Sequence, residues 1–315
     1  MRLPSLWATR KLRLLAKAMS DPSKASPREA SFFSSDTASD TASDTVSAAS
    51  PATPAPATPA PTTPASKTWS TRGEAYALSS VHKQGPSLAK LIALARPQRA
   101  DICLDVGTGA GHTAAALAPL VKQVTGLDPA EGMLEAARQT YPLDNLNFVT
   151  GSSDALPFAD NTFDLMTARH TLHHHDSVPD FLAEAKRTLK TGGRLVIVDE
   201  ITPAASVDTW YDQLERLRDP THKRAYTMTE WQNFVQASGL NWVVGDSRTL
   251  LRLNVAEWIN RTTPKENLET VWQMFRDAND EARDLFSIAY QADESVGDEP
   301  VTFDIPLGIM LISNT

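Results

Sequence analysis

From residue 101 onward, short apolar runs rich in β-branched residues alternate with longer amphipathic stretches. The runs DICLDVG, QVTGLD, LNFVT, FDLMTA and RLVIVDE predict strands, and residues 111–121, 130–140 and 178–190 predict helices. Runs that stay apolar at successive positions mark strands covered on both faces, so the alternation predicts βαβ units and a parallel sheet. Helical spacing over residues 75–95 predicts an opening helix broken near Gly85 and Pro86. Beyond residue 202 the alternation stops. Helices are expected at 205–217 and 228–238, the second capped by Thr227 or Thr229. A long strand, NWVVGDSRTLLRL, a mostly helical stretch over 255–291 and a closing strand, VTFDIPLGIMLIS, follow. Two late strands flanking a helical insertion predict an antiparallel edge hairpin with the insertion over the cleft. The expected fold is α/β: a doubly wound, seven-stranded, mostly parallel sheet whose ligands bind beyond the carboxyl ends of the strands.

The first 68 residues are different material. Residues 35–45 repeat Ser-Asp-Thr-Ala and residues 51–65 read PATPAPATPAPTTPA, so residues 21–68 have little to bury and read as a disordered linker. Residues 1–20 are basic and amphipathic, with Arg10, Arg13 and Lys17 on one helical face and Leu12, Leu15 and Met19 on the other. This resembles a mitochondrial or plastid targeting peptide. The expected compartment is the cytoplasm, or one of those organelles if the peptide acts. The globular part is expected to be one domain, 69–315, with 202–298 forming an acceptor-side helical cap. No apolar run reaches the roughly 20 residues of a membrane span.

Of the net charge of −8, residues 1–68 hold eight basic and five acidic side chains, leaving −11 on the rest. An acidic domain is a poor partner for phosphate backbones, which argues for a small-molecule acceptor over nucleic acid. The single cysteine, Cys103, is read as core, and nothing fixes an oligomeric state.

LDVGTGAGHTA, residues 104–114, runs from a strand through a glycine-rich turn into a helix, and Gly107, Gly109 and Gly111 allow close backbone approach to a ligand. Asp128 ends the next strand, where a carboxylate can accept both ribose hydroxyls. Those features fit NAD and S-adenosylmethionine equally. Asp105 and Asp154 separate them: an acid beside the loop repels a pyrophosphate but suits a cationic amino-acid end, and Asp154 can accept from an adenine amino group. A plain βα turn and an Asx-turn are the structural alternatives.

Taken in order, LDVGTGAG, GLDPAEGMLEAAR, GSSDALPFADNTFD and LKTGGRLVIVDE strongly resemble class I S-adenosylmethionine-dependent methyltransferases of the methyltransferase type 11 group, which includes the ubiquinone/menaquinone C-methyltransferases. The likeness spans residues 73–201. The tail, with LRDPTHKR, looks like an uncharacterised bacterial subgroup and lacks the segment associated with the quinone enzymes, which argues against a quinone acceptor. The resemblance implies a Rossmann-like domain. It places the methionine portion on Asp105, Gly107, Thr108 and Gly109, the ribose on Asp128 with Pro129 and Met133 nearby, and the adenine on Ser153, Asp154 and Ala155. Arg169 and His170 would lie beside the sulfonium.

Four of the seven histidines fall in ARHTLHHHDS. A metal set of His170, His174 and Asp176 is conceivable, but no metal is expected, because these residues fall in a turn ahead of a helix start at Asp176 or Ser177. His173 or His174 is the candidate general base, the other packing under the cofactor, and His175 is expected to face solvent. Tyr76 and His82 suit the core better than a ligand. Arg216, Arg218, His222, Lys223 and Arg224 read as a solvated face. Trp231, Trp258, Trp272 and Phe275 form either an apolar acceptor pocket or the core of the cap. The expected activity is methyl transfer from S-adenosylmethionine to a small molecule. The rivals are a non-catalytic cofactor-binding regulator or scaffold, a nicotinamide oxidoreductase, and a methyltransferase acting on RNA or protein, which would need a docking surface that an acidic domain does not advertise.

Overall fold

The computed structural model describes residues 64–70, 85–293 and 297–315. All lie in the second of two units into which the chain divides, Thr53–Thr315. Tyr76, His82 and the basic stretch 1–20 lie outside the described residues.

The sheet is built from β1 (Ile102–Val106), β2 (Gln123–Asp128), β3 (Leu146–Thr150), β4 (Phe163–Arg169), β5 (Leu189–Glu200), β6 (Asn241–Asn254), β7 (Ala289–Asp293) and β8 (Gly297–Ser313). The strand order is β3-β2-β1-β4-β5-β8-β6, and β7 pairs only with β8. The first five strands are parallel, while β8 runs antiparallel to both β5 and β6. The order reverses beside β1, so the carboxyl ends of β1 and β4 flank the switch point where doubly wound folds bind ligands. Eight strands stand where seven are expected. The additional one, β7, is short and folds against the start of β8 as a hairpin, with Ala289 opposite Thr302. Its sequence, AYQAD, has no sustained apolar alternation and straddles the end of the stretch 255–291 that reads as mostly helical.

The helices are α1 (Pro64–Ser70), α2 (Pro86–Ala95), α3 (His112–Leu117), α4 (Glu131–Thr140), α5 (Val178–Thr188), α6 (Asp208–Arg218), α7 (Met228–Ser238), α8 (Val255–Thr262), α9 (Leu268–Arg276) and α10 (Asp280–Leu285). Alternation along each strand divides the core. Cys103, Leu165, Val196 and Val198 face α2, α3 and the insertion helices, whereas Leu104, Met166 and Ile197 face α5 and α7. Trp258 and Phe275 join the first of these clusters and Trp231 the second, so the insertion extends the main core.

Two features shape the site. Glu200 ends β5 opposite Leu307, but β6 and β8 pair onward to Asn254 and Thr302. They form a two-stranded ribbon beyond the sheet edge that carries the insertion over the cleft. The second feature is α1, which begins inside the stretch expected to be linker and docks on α4. A Cβ at Gly132 would overlap the Ser70 carbonyl, so the close approach needs glycine there.

Candidate active site

Beyond the carboxyl ends of β1, β2, β4 and β5 lies a cavity of about 1100 Å³. It runs from the glycine turn and Asp128 past the histidines to Leu251, Trp258 and Ile305 of the ribbon and insertion. Of the site residues expected from sequence, all but Asp105 line it.

Gly107 turns the chain with φ +62°, and a Cβ there would overlap Thr171 Oγ1, so glycine lets the turn after β1 seat against the turn after β4. Asp128 fastens the loop from the next strand. It accepts the Gly109 N–H at 2.9 Å through Oδ2 and the Ala130 N–H at 2.9 Å through Oδ1. Burial pushes its carboxyl up to about 6, against the pull of those two N–H groups. Asp105 has a different place from the one expected. Its oxygens accept from Thr108 Oγ1 at 2.7 Å and Thr167 Oγ1 at 2.6 Å, and it lies beneath the cavity wall. It shapes the loop and presents no oxygen to a ligand. Burial raises its carboxyl, with the two hydroxyls opposing.

Ser152 and Ala155 bridge across a tight turn that leaves Asp154 exposed at the cavity. Arg169 Nε donates to Thr113 Oγ1 at 2.9 Å, and both Arg169 and His170 reach Ser87 Oγ, at 3.3 and 3.2 Å. His170 holds a left-handed backbone, φ +53°.

Asp199, near the end of β5, organises the histidine turn Leu172–His174. It accepts the Leu172 N–H at 2.5 Å and faces His173 Nδ1 at 2.5 Å, with both side chains buried. Burial works to lower the His173 imidazole, but Asp199 and Glu200 outweigh it and raise it to about 9. The same charge holds Asp199 well below the usual carboxylate range despite its burial. His174 is pushed the other way, by burial and by the adjacent His173. The His174 ring lies 4.1 Å from that of His173 and 5.2 Å from that of Trp69. Thr221 fixes its tautomer: the hydroxyl donates to Asp219 Oδ1 at 2.7 Å and accepts from Trp69 Nε1 at 3.1 Å. The 3.1 Å contact with His174 Nδ1 is therefore an N–H donation, which leaves the lone pair on Nε2. His175 corrects the expectation of a solvent-facing ring. It is half-buried, bonded to Ser153 Oγ at 2.9 Å, and burial lowers it to about 4.

The segment LRDPTH also departs from the solvated face expected of it. Arg218, Asp219 and His222 are buried. Arg218 donates twice to Glu215 Oε2, at 2.9 and 2.7 Å, and lies 4.6 Å over the Trp258 ring. Asp199, Glu200, Trp69 and these loop residues are the site members that sequence reasoning missed. The signal for the first two was present, since VDE ends an apolar strand with acids as GLD does.

A doubly wound sheet with a glycine turn at its switch point and an acid ending the second strand defines a nucleotide-cofactor-binding α/β domain. Residues 104–197 match the family described as a methyltransferase domain. The chain is 35% identical over 225 residues to the uncharacterized methyltransferase YcgJ of Bacillus subtilis, covering 70% of this chain and 88% of that one. The crystal structure of YcgJ superposes with a TM-score of 0.65 at 33% identity, over 72% of this chain and 96% of that one. A ubiquinone/menaquinone biosynthesis C-methyltransferase UbiE, from Desulfotalea psychrophila, is 38% identical over 106 residues, 33% of this chain and 43% of that enzyme. The chain belongs to the class I S-adenosylmethionine-dependent methyltransferases.

Proposed function

We propose that the protein transfers a methyl group from S-adenosylmethionine to a small-molecule acceptor seated on the Arg218 and Trp258 side of the cavity. The observation that carries this reading is the continuity of the cavity, which joins the glycine turn to a compartment built from β6, β8 and the insertion. At about 1100 Å³ the cavity slightly exceeds the range of about 300–1,000 Å³ usual for a single small-molecule site, as room for a cofactor and an acceptor together requires. No helix among the described residues is long and apolar enough to cross a membrane, and a net charge of −11 over residues 69–315 is a poor match for a polyanion.

The residues present fit the cofactor. Gly107 and Gly109 line the cavity in a left-handed turn, φ +62° and +52°, and Asp128 lines it with a carboxylate already oriented by two N–H groups. In this reading the 107–109 turn, with Arg169 and His170, holds the methionine portion. Asp128, with Pro129 and Met133, holds the ribose, and Ser153, Asp154 and Ala155 hold the adenine. The bound cofactor supplies an electrophilic methyl group on a sulfonium. The chain supplies orientation and a dry enclosure, which are most of what an in-line displacement needs. The Nε2 lone pair of His174 can accept the proton of an acceptor hydroxyl or amine, while His173, held by Asp199, keeps the turn in place. The UbiE match is too short to bring that enzyme's acceptor to this chain.

Calorimetric titration of the full chain with S-adenosylhomocysteine, with NAD as control, tests the cofactor half. Micromolar binding of the first and none of the second is the expected result. An acceptor screen by release of S-adenosylhomocysteine follows. For a proton-bearing acceptor, His174→Ala should lower kcat by about 10²-fold or more with cofactor affinity retained. Full activity in that variant removes His174 from the chemistry.

A further inference from the structure

We infer that His173, Glu200 and His222 form a binding site for a divalent transition-metal ion on the acceptor side of the cavity. The three come from the turn after β4, the end of β5 and the loop after α6. One ligand atom from each lies within 4.8 Å of the other two. A shared ion about 2.1 Å from each ligand requires only a small inward adjustment of the side chains. The set excludes His170, His174 and Asp176, the residues that sequence spacing suggests.

Three further observations point to a ligand. First, His222 Nδ1 is buried with no hydrogen-bond partner, although the side chain is fully enclosed. A bare buried nitrogen has lost its hydration with nothing in return unless something occupies it. Second, each imidazole is backed by a carboxylate on its other nitrogen. Asp199 faces His173 Nδ1 at 2.5 Å, and Asp212 faces His222 Nε2 at 3.1 Å. That carboxylate–histidine pairing fixes the ring and raises its basicity, as it does around protein-bound metals. Glu200 is held similarly, with Oε2 accepting the Tyr211 hydroxyl at 3.1 Å.

Third, the charge is out of balance. Asp199, Glu200, Asp212, Glu215 and Asp219 are all buried here, against one buried guanidinium, Arg218, and the His173 imidazole paired with Asp199. Arg218 bonds Glu215 through Oε2, leaving Glu215 Oε1 without a partner, and the guanidinium facing Asp212 is that of the half-exposed Arg216, at 3.4 Å. Buried carboxylates need compensating cations, and a dication between two imidazoles and a carboxylate supplies the charge where it is missing. Two nitrogens and one oxygen favour zinc, iron(II), cobalt or manganese over magnesium or calcium. Three protein ligands leave further positions open toward the cavity, since His173 and Glu200 line it.

The test needs no methyl acceptor, so it stands apart from the proposed reaction. Tag-free full-length protein, stripped with a chelator, is titrated with Co²⁺ and followed by visible d–d absorption and equilibrium dialysis. One ion per chain at micromolar or tighter Kd is expected. His222→Ala and Glu200→Gln should each weaken binding at least about tenfold, and Asp212→Asn by about 10–100-fold through loss of the backing carboxylate. Thermal melts and S-adenosylhomocysteine binding show which variants remain folded. Should a substitution unfold the chain, wild-type stoichiometry and Asp212→Asn decide the matter. Absence of stoichiometric binding by the wild type overturns the inference, as does wild-type affinity in folded His222→Ala.

Discussion

Asp128 carries its charge where burial makes charge costly, and it is retained there by two backbone N–H groups. With the carboxyl raised to about 6, the free protein takes up a proton as the pH falls through that value. The form proposed to accept the ribose hydroxyls is the ionised one, so affinity should fall on the acid side. Between pH 7 and pH 5 the ionised fraction drops about tenfold, and S-adenosylhomocysteine affinity should drop with it. Asp128→Asn should bind weakly at both pH values, because its amide can accept only one of the two N–H groups. Calorimetry at pH 5 and 7 checks both expectations, and equal wild-type affinities would remove Asp128 from the cofactor site. This residue is legible in the sequence because a carboxylate ending an apolar strand must find polar partners where the strand meets the loops at the switch point. The same signal ends β5 at Asp199 and Glu200. Arg218 and His222 are not legible, since a run of charges reads as a solvated face. Only the return of the α6–α7 loop beneath the histidine turn buries them, with the Lys223 N–H bonded to the His173 carbonyl at 2.8 Å.

The elements that read best are those whose burial is set by the sheet itself. β1, β2, β4 and the second half of β5 are buried at nearly every position, and their near-continuous apolar runs show it, whereas the edge strand β3 buries only Leu146. The helix Met228–Ser238 is equally clear, because its ends are written in local chemistry. Thr227 accepts the Glu230 N–H at 3.2 Å, Glu230 accepts the Thr227 N–H at 2.9 Å, and Gly239 closes the helix at φ +71°. Thr227→Ala should cost about 1 kcal/mol in urea unfolding without altering cofactor affinity, because α7 packs against α5 and β6 away from the cavity. A loss of S-adenosylhomocysteine binding in that variant would show that α7 supports the site as well as the fold. β7 and the ribbon are harder to read. Their pairing extends past the sheet edge, where one face has no covering helix to impose a pattern, and Leu250 stays exposed between residues that turn inward.

At the scale of the whole molecule, the two halves of the cavity come from material of different kinds. The side proposed to hold the cofactor belongs to the repeating βα units, and the side proposed to hold the acceptor to segments after β5. Helix α1 touches both. Trp69 packs against the cluster of Ala110, Ala130 and Met133 on the cofactor side, and its Nε1 donates to Thr221 Oγ1 at 3.1 Å on the other. Its ring also lies 5.2 Å from that of His174. Repeats of Pro, Ala and Thr dominate the sequence ahead of it, and composition makes this tryptophan only the first residue of the globular part, with no sign that it reaches the cleft. What fixes it is tertiary: Gly132 lets Ser70 approach α4, and Trp69 follows into the cleft. Trp69→Ala removes the wall over the cofactor side and one of the bonds that set the His174 tautomer. It should weaken S-adenosylhomocysteine binding by about 1–2 kcal/mol while leaving the urea midpoint little changed, because the ring is only half-buried at one margin of the core. Trp69→Phe keeps most of the apolar wall and loses the donor, so it should recover most of the binding. Its turnover should stay low if the Thr221 bond matters through His174. Equal binding by Trp69→Ala and the wild type would mean that α1 rests on the fold without closing the site.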